Sequence, residues 1–184
     1  MKYKLTKNKK EYFGRTLFQI EAMMSFSNIS KGDLGGYIEK EDNLSQEGDA
    51  WVYGNAWVFG DAWVYGDAKV FGNAWVFGDA WVYGDAWVYG DAEVYGNAKV
   101  YGNAEVYGNA KVYGNAEVYG NLKISAGYFF GMRYNKEEIK YIENEGQEII
   151  YKGEARFEEE DDEVEKDIKL LESKGKLKDG KILS

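Results

Sequence analysis

The sequence predicts an all-β solenoid, a parallel β-helix of about five triangular coils over 44–125. A β-rich cap at 1–43 precedes it and an α+β appendage at 126–184 follows it. Three observations predict this. Residues 50–121 form twelve consecutive hexads of the type Ala-x-Val-(Tyr/Phe)-Gly-(Asp/Asn), without insertion. A fixed short period is the mark of stacked identical units. The 184-residue chain has no Pro, as suits a main-chain ladder that needs every N–H. Finally, the small and the bulky residues of each hexad alternate, so volume decides which side is the inside.

Within a hexad, Ala and Val lie two apart and face one side of a short strand. The variable residue and the Tyr or Phe face the other. Gly and Asp or Asn follow as a corner, since both tolerate positive φ. Three sides make a coil of eighteen residues. A narrow prism holds Val and Ala in layers. It cannot hold three Trp and three further rings per coil at interior density, so the rings are expected outside.

Val52, Val58 and Val64 at the aliphatic corner position, with Ala56, Ala62 and Ala68 at the small inward position, carry a resemblance over all twelve hexads. The stretch resembles the hexapeptide-repeat, left-handed parallel β-helix family. The left hand is implied by the resemblance alone, because parallel crossovers in general favour the right hand.

Residues eighteen apart sit one above another, about 4.8 Å per rung. One face then stacks Trp51, Lys69, Trp87 and Glu105. A second stacks Trp57, Trp75, Glu93 and Lys111, and a third Trp63, Trp81, Lys99 and Glu117. Beside them run the columns Tyr53-Phe71-Tyr89-Tyr107, Phe59-Phe77-Tyr95-Tyr113 and Tyr65-Tyr83-Tyr101-Tyr119. Lys69 falls between two Trp, a cation–π position. Glu93 over Lys111 and Lys99 over Glu117 are opposite-charge rungs.

The N-terminal segment departs from the repeat. Tyr3-Lys4-Leu5 reads as a strand, the region of Asn8 as a turn, and Glu11 to Met23 as a longer strand broken at Gly14. Lys31 to Ile38 is rich in turn residues, and Leu44 to Asp49 is a degenerate hexad, a partial first coil. The strings Gly-Arg-Thr-Leu-Phe-Gln-Ile from Gly14, Lys-Gly-Asp-Leu-Gly-Gly-Tyr-Ile-Glu from Lys31 and Asn-Leu-Ser-Gln-Glu-Gly-Asp-Ala from Asn43 look like the leader of a group of uncharacterised bacterial and prophage hexapeptide proteins. Such a leader caps the open end of a solenoid, whose strands would otherwise recruit other chains.

After Asn121 the pattern fades. Leu122 to Ser125 reads as a last rung, and Tyr128 to Met132 as an apolar flap over the final coil. Glu138 to Glu143 and Glu148 to Lys152 suggest a hairpin, a helix starting near Asn135 being the alternative. Glu158 to Lys174 fits an amphipathic helix, with Val164, Ile168 and Leu171 on one stripe and Gly175 to end it. A basic tail ends in Ile182-Leu183.

Composition excludes several activities. The chain has no Cys and no His, so thiol chemistry, His-ligated zinc and the His general base typical of hexapeptide acyltransferases are not expected. The uninterrupted repeat also sends out no loop to build an active site. Neither a signal-like N-terminus nor a long apolar run stands out, so a cytoplasmic, membrane-free protein is the default. The corner carboxylates Asp61 over Asp79 and Asp67 over Asp85 read as solvated turns; calcium would want six to eight oxygens. No cofactor is expected.

The charge is −9 overall and uneven: residues 1–40 carry eight basic and four acidic side chains, and 154–167 carry two and nine. Direct nucleic-acid binding needs a basic groove beside the rings, whereas the repeat has eight acids against three Lys. The expected function is therefore that of a non-catalytic protein-binding rod. It would be a phage-encoded inhibitor or accessory protein docking on a host defence or nucleic-acid enzyme. The candidate contacts are Trp51, Trp57, Trp63, Trp75, Trp81 and Trp87, because Trp is what hot spots favour. The acidic run Glu158, Glu159, Glu160, Asp161, Asp162 and Glu163 would steer by charge. Two structural readings stand beside this one: rings that merely stiffen each face, and a module that self-associates. Hexapeptide acyltransferases commonly trimerise, so the resemblance leaves room for a homo-oligomer.

Overall fold

The computed structural model describes residues 1–129 in full and the backbone of 130, 141–145, 148–152, 177–178 and 181–182. It is an all-β parallel solenoid of about five stacked coils. Among the described residues the one helical element is a 3-10 turn at Glu41–Asn43. Rungs of two or three residues run from Trp51–Val52 to Lys123–Ile124 and join into three sheets, one per side.

The register is the eighteen-residue one. Trp57 pairs with Trp75, Trp75 with Glu93 and Glu93 with Lys111. Trp63 pairs with Trp81, Trp81 with Lys99 and Lys99 with Glu117. Main-chain bonding carries on through the corners: Trp75 N–H donates to Ala92 O (2.9 Å), Phe77 N–H to Val94 O (2.9 Å) and Asp79 N–H to Gly96 O (2.9 Å). Two or three donors per hexad thus bind the next coil, so slipping a coil would break ladder and corner together.

Every hexad Ala and Val is buried, at 0–1% exposure. The prism is filled as volume required, and each buried Val contributes roughly 1.5–3 kcal/mol. The outer columns stack at 4.7–5.1 Å in eight of nine ring pairs along the Tyr/Phe columns. The exception is Tyr53–Phe71, edge-on at 6.3 Å. There the Tyr53 hydroxyl turns to hydrogen-bond Asn28 Oδ1 of the cap (3.2 Å).

The N-terminal segment folds differently from the sequence reading. Strand β1 (Tyr3–Tyr12) runs straight through Asn8 and pairs antiparallel with β2 (Arg15–Ala22). The extra residues around Asn8 are taken up as a register shift between Leu5 and Lys9, not as a turn. Asn8 Nδ2 donates to Gln19 Oε1 (3.1 Å) across it. The turn is the two-residue loop Phe13-Gly14, with φ 43° and 77°. Positive φ at both positions matches the right-handed twist of the strands, at about 1–2 kcal/mol for a non-glycine residue. Lys31 to Ile38 is not all turn: β3 (Leu34–Ile38) pairs antiparallel with β2 and parallel with the Trp57 rung. β3 is thus the first rung on that side, and Leu44, bridged to Val64, is the first on the next.

The cap also satisfies carbonyls that the first coil turns toward the open end. Lys2 Nζ donates to Ala50 O (2.9 Å) and Gly48 O (3.2 Å). Asn43 Nδ2 donates to Ala62 O (2.8 Å) and Gly60 O (3.0 Å), and the Tyr3 hydroxyl to Leu44 O (2.7 Å). All three residues are buried, and an unpartnered buried carbonyl is costly.

At the other end Tyr128–Phe130 is a rung, not a flap. It pairs in parallel with Lys111–Tyr113, and Phe129 takes the inward place. Tyr141–Glu145 and Glu148–Lys152 pair antiparallel, in line with the hairpin, and Ile142 continues the sheet beyond Ile124; the start of the alternative helix, near Asn135, lies outside the described residues. The helix expected over Glu158 to Lys174 lies outside the described residues.

Candidate functional site

The three outer faces carry similar sequence but differ in what covers them. On the first, Trp57 and Trp75 stack at 5.0 Å and 1°. The tip of the β1–β2 hairpin lies over them: the Tyr12 ring is 5.4 Å from Trp57 and 5.0 Å from Trp75, and Lys10 Nζ sits 5.5 Å from Trp57. Both indoles are half-buried.

The second face has Trp51 at its start and Trp87 two rungs on. Trp51 points out of the prism as expected, but it is not exposed. Tyr3 (6.2 Å) and Phe26 (5.4 Å) pack edge-on against it and leave 1% accessible. Trp51 is therefore core to the cap and, contrary to expectation, offers no surface for docking. Trp87 is 41% exposed, with Lys69 Nζ 5.5 Å above its ring.

Among the described residues nothing covers the third face. Trp63 and Trp81 are 38% and 40% exposed. Trp63 lies on Tyr65 (4.1 Å) and meets Trp81 edge-on (5.9 Å, 86°). Lys99 follows at 5.6 Å over Trp81 and pairs with Glu117 (3.7 Å). The Glu117 carboxylate accepts from the Tyr101 hydroxyl (3.1 Å). Burial, then the Glu117 charge, push the Tyr101 phenol well above its usual range.

The edges of this face are distinctive. Each rung begins after one corner Asx and ends before the next. For Trp63 these are Asp61 and Asp67, and for Trp81 they are Asp79 and Asp85. All four are exposed. Of the three faces, only this one has two consecutive Trp rungs with Asp at both corners; Trp57 and Trp75 follow Asn55 and Asn73. Asp61 is tied to Lys40 Nζ (2.6 Å). The result is an aromatic strip between two rails of carboxylate.

The rail at Asp67 and Asp85 continues around the corner. With Asp49, Lys69, Trp87 and Glu105 it lines an open groove of about 470 Å³. Trp63, Trp81 and Trp87 thus belong to one surface wrapped over an edge. Among the described residues no three acidic side chains converge as metal ligands would. An aromatic strip with carboxylate rails is suited to receiving arginine, lysine or apolar side chains, by cation–π contact and ion pairing.

Reasoning from sequence found the Trp columns but treated the Asp corners as bland solvated turns. The four Asp are solvated as expected; the signal passed over is that these two columns flank the Trp63 and Trp81 rungs. Glu158, Glu159, Glu160, Asp161, Asp162 and Glu163 lie outside the described residues. No described helix is long and apolar enough to cross a membrane. Set against known proteins, the chain matches no family model and no curated relative.

Proposed function

We propose that this chain is a non-catalytic, protein-binding solenoid that docks on a basic surface of a partner protein through the Trp63–Trp81 strip and its carboxylate rails. The observation that carries the reading is the uncovered strip itself: two large indoles left in water between four exposed Asp, on a chain whose cap buries or half-covers three other Trp. Exposed aromatic patches with a polar rim mark interaction sites.

A basic partner surface is what a nucleic-acid enzyme presents along its channel. The leader resembles that of prophage hexapeptide proteins, so the partner class we favour is a host defence or nucleic-acid enzyme in the cytoplasm. The net charge of −9 favours fast, salt-sensitive encounter with such a surface.

The test is affinity purification from the native host with the native chain and with a Trp63→Ser/Trp81→Ser double variant. The variant should keep the β-rich circular dichroism of the native chain, because both rings stand outside the prism. It should lose the specific partner, with affinity reduced at least about tenfold. Identical partners retained by both proteins would remove the strip from the interface.

A further inference from the structure

Phe13 breaks a local rule without any return inside the fold. It occupies the first place of the two-residue loop between β1 and β2, at φ 43°. That place asks for Asn, Asp or Gly. A bulky ring held there is a genuine outlier, and such outliers cluster where a segment meets something else. Burial would be the usual compensation, yet Phe13 is 89% exposed, and among the described residues its ring meets that of Tyr12 alone (4.6 Å).

The charge around it is opposite to that of the whole. Residues 2–22 hold six basic and two acidic side chains, in a chain of net charge −9. Lys7, Lys9 and Arg15 are exposed along the same hairpin; Lys9 pairs with Glu11 (3.1 Å) and Arg15 with Glu39 (2.8 Å), so the excess of positive charge comes from Lys7 and Lys10. The tip is therefore an apolar knob in a basic field. The strip of Trp63 and Trp81 is an aromatic seat in an acidic one. Among the described residues nothing covers either.

We propose that the Phe13 tip of one copy seats on the Trp63–Trp81 strip of a second copy, with the basic hairpin facing the Asp rails. Knob and seat are different patches, so the contact is heterologous and joins copies head to tail. It goes beyond the partner-binding reading and adds a regulation to it. A strip occupied by a second copy is closed to a partner, so assembly and docking compete for one surface.

Sedimentation velocity on the purified full chain tests this, at rising concentration and at about 20 mM and about 1 M salt. The native chain should associate, and less so in high salt. Phe13→Asn gives the loop the residue its backbone favours. It should raise Tm by about 2–4 °C while weakening association at least about tenfold. Trp81→Ser should weaken it equally from the other side. Mixing the two variants is the decisive arm, because one keeps the seat and the other the knob. The mixture should form a one-to-one complex that neither forms alone. A native chain that stays monomeric at every concentration, association that survives Phe13→Asn, or a mixture that fails to pair would each overturn the proposal. So would a monomeric chain whose hairpin captures a single-stranded oligonucleotide. Partner capture in the host experiment should be unimpaired by Phe13→Asn, so the two readings fail separately.

Discussion

The corners of the solenoid invite a controlled perturbation, Gly72→Ala against Gly54→Ala. Both glycines hold the left-handed backbone, at φ 72° and 53°. An alanine at either therefore meets the same intrinsic strain, about 1–2 kcal/mol. Their surroundings differ. A Cβ on Gly54 would meet nothing within 4 Å, whereas one on Gly72 would lie 2.9 Å from both N and O of Gly90 on the next coil. Those are backbone atoms, and no rotamer can move them aside. Gly90 O also accepts the corner hydrogen bond from Asn73 N–H (2.8 Å). Relieving the overlap means prising two coils apart, which weakens that bond by about 1 kcal/mol and adds roughly 1–3 kcal/mol of overpacking. Gly54→Ala should thus cost about 1–2 kcal/mol and Gly72→Ala at least about 3. Urea denaturation followed by far-ultraviolet circular dichroism reads the difference. Equal losses, within about 0.5 kcal/mol, would mean that corner stacking plays no part and that only φ selects glycine.

Two further outcomes follow from the cap and the ladders. Asn43→Ala removes the donor to two carbonyls of the first coil, at a site with 0% exposure. It should cost about 2–3 kcal/mol in the same denaturation assay, and Asn43→Asp should not restore it, because a carboxylate cannot donate. On the alkaline side, burial and the Glu105 carboxylate beside it push the Tyr89 phenol up to about 12, and burial raises Tyr3 as well. A raised phenol contributes stability that is complete below the unfolded value of 10.0 and is lost as pH climbs through the folded one. The chain should therefore lose stability between about pH 10 and 12. Phenolate absorbance should develop in the same window as the loss of circular dichroism. Free titration of all tyrosines at pH 10 with the fold intact would contradict the ladder environment.

Much of the architecture is legible because a six-residue period leaves no choice of register. Once Val58 is inside, Val76 must be inside above it, and Glu93 must meet Lys111, as their 2.9 Å ion pair shows. Lys99 and Glu117 follow the same arithmetic at 3.7 Å. Legibility ends where the repeat ends. The burial of Trp51 depends on Tyr3 and Phe26, which belong to no period and reach it only through the fold of the cap. The expected turn at Asn8 fails because its polar side chain serves a register shift between two long strands instead. Phe13 reads as part of a strand interrupted by Gly14 until Tyr12 is seen paired with Arg15, which leaves just two residues for the loop.

Whether the indoles serve stiffness or recognition can be argued from where they stop. The Tyr/Phe columns run through every coil, and their stacking continues from Tyr65 to Tyr119 without a gap. The neighbouring columns do not run through. Each changes from Trp to Lys and Glu partway, and the late rungs are joined by Lys111–Glu93, Lys99–Glu117 and Lys123–Glu105 pairs. Both halves have the same Val and Ala prism and the same ladder of main-chain bonds. The late coils show that the column position tolerates charge, so the early coils do not need Trp in order to stack. Exposed cross-strand ion pairs and aromatic pairs each contribute under about 1 kcal/mol, which is too close to explain the choice. What differs between the halves is the surface offered to water, and it is the early half that places Asp61, Asp67, Asp79 and Asp85 beside its rings. Selection for stability alone predicts no such coincidence, whereas the proposed docking of a basic, ring-bearing surface predicts it.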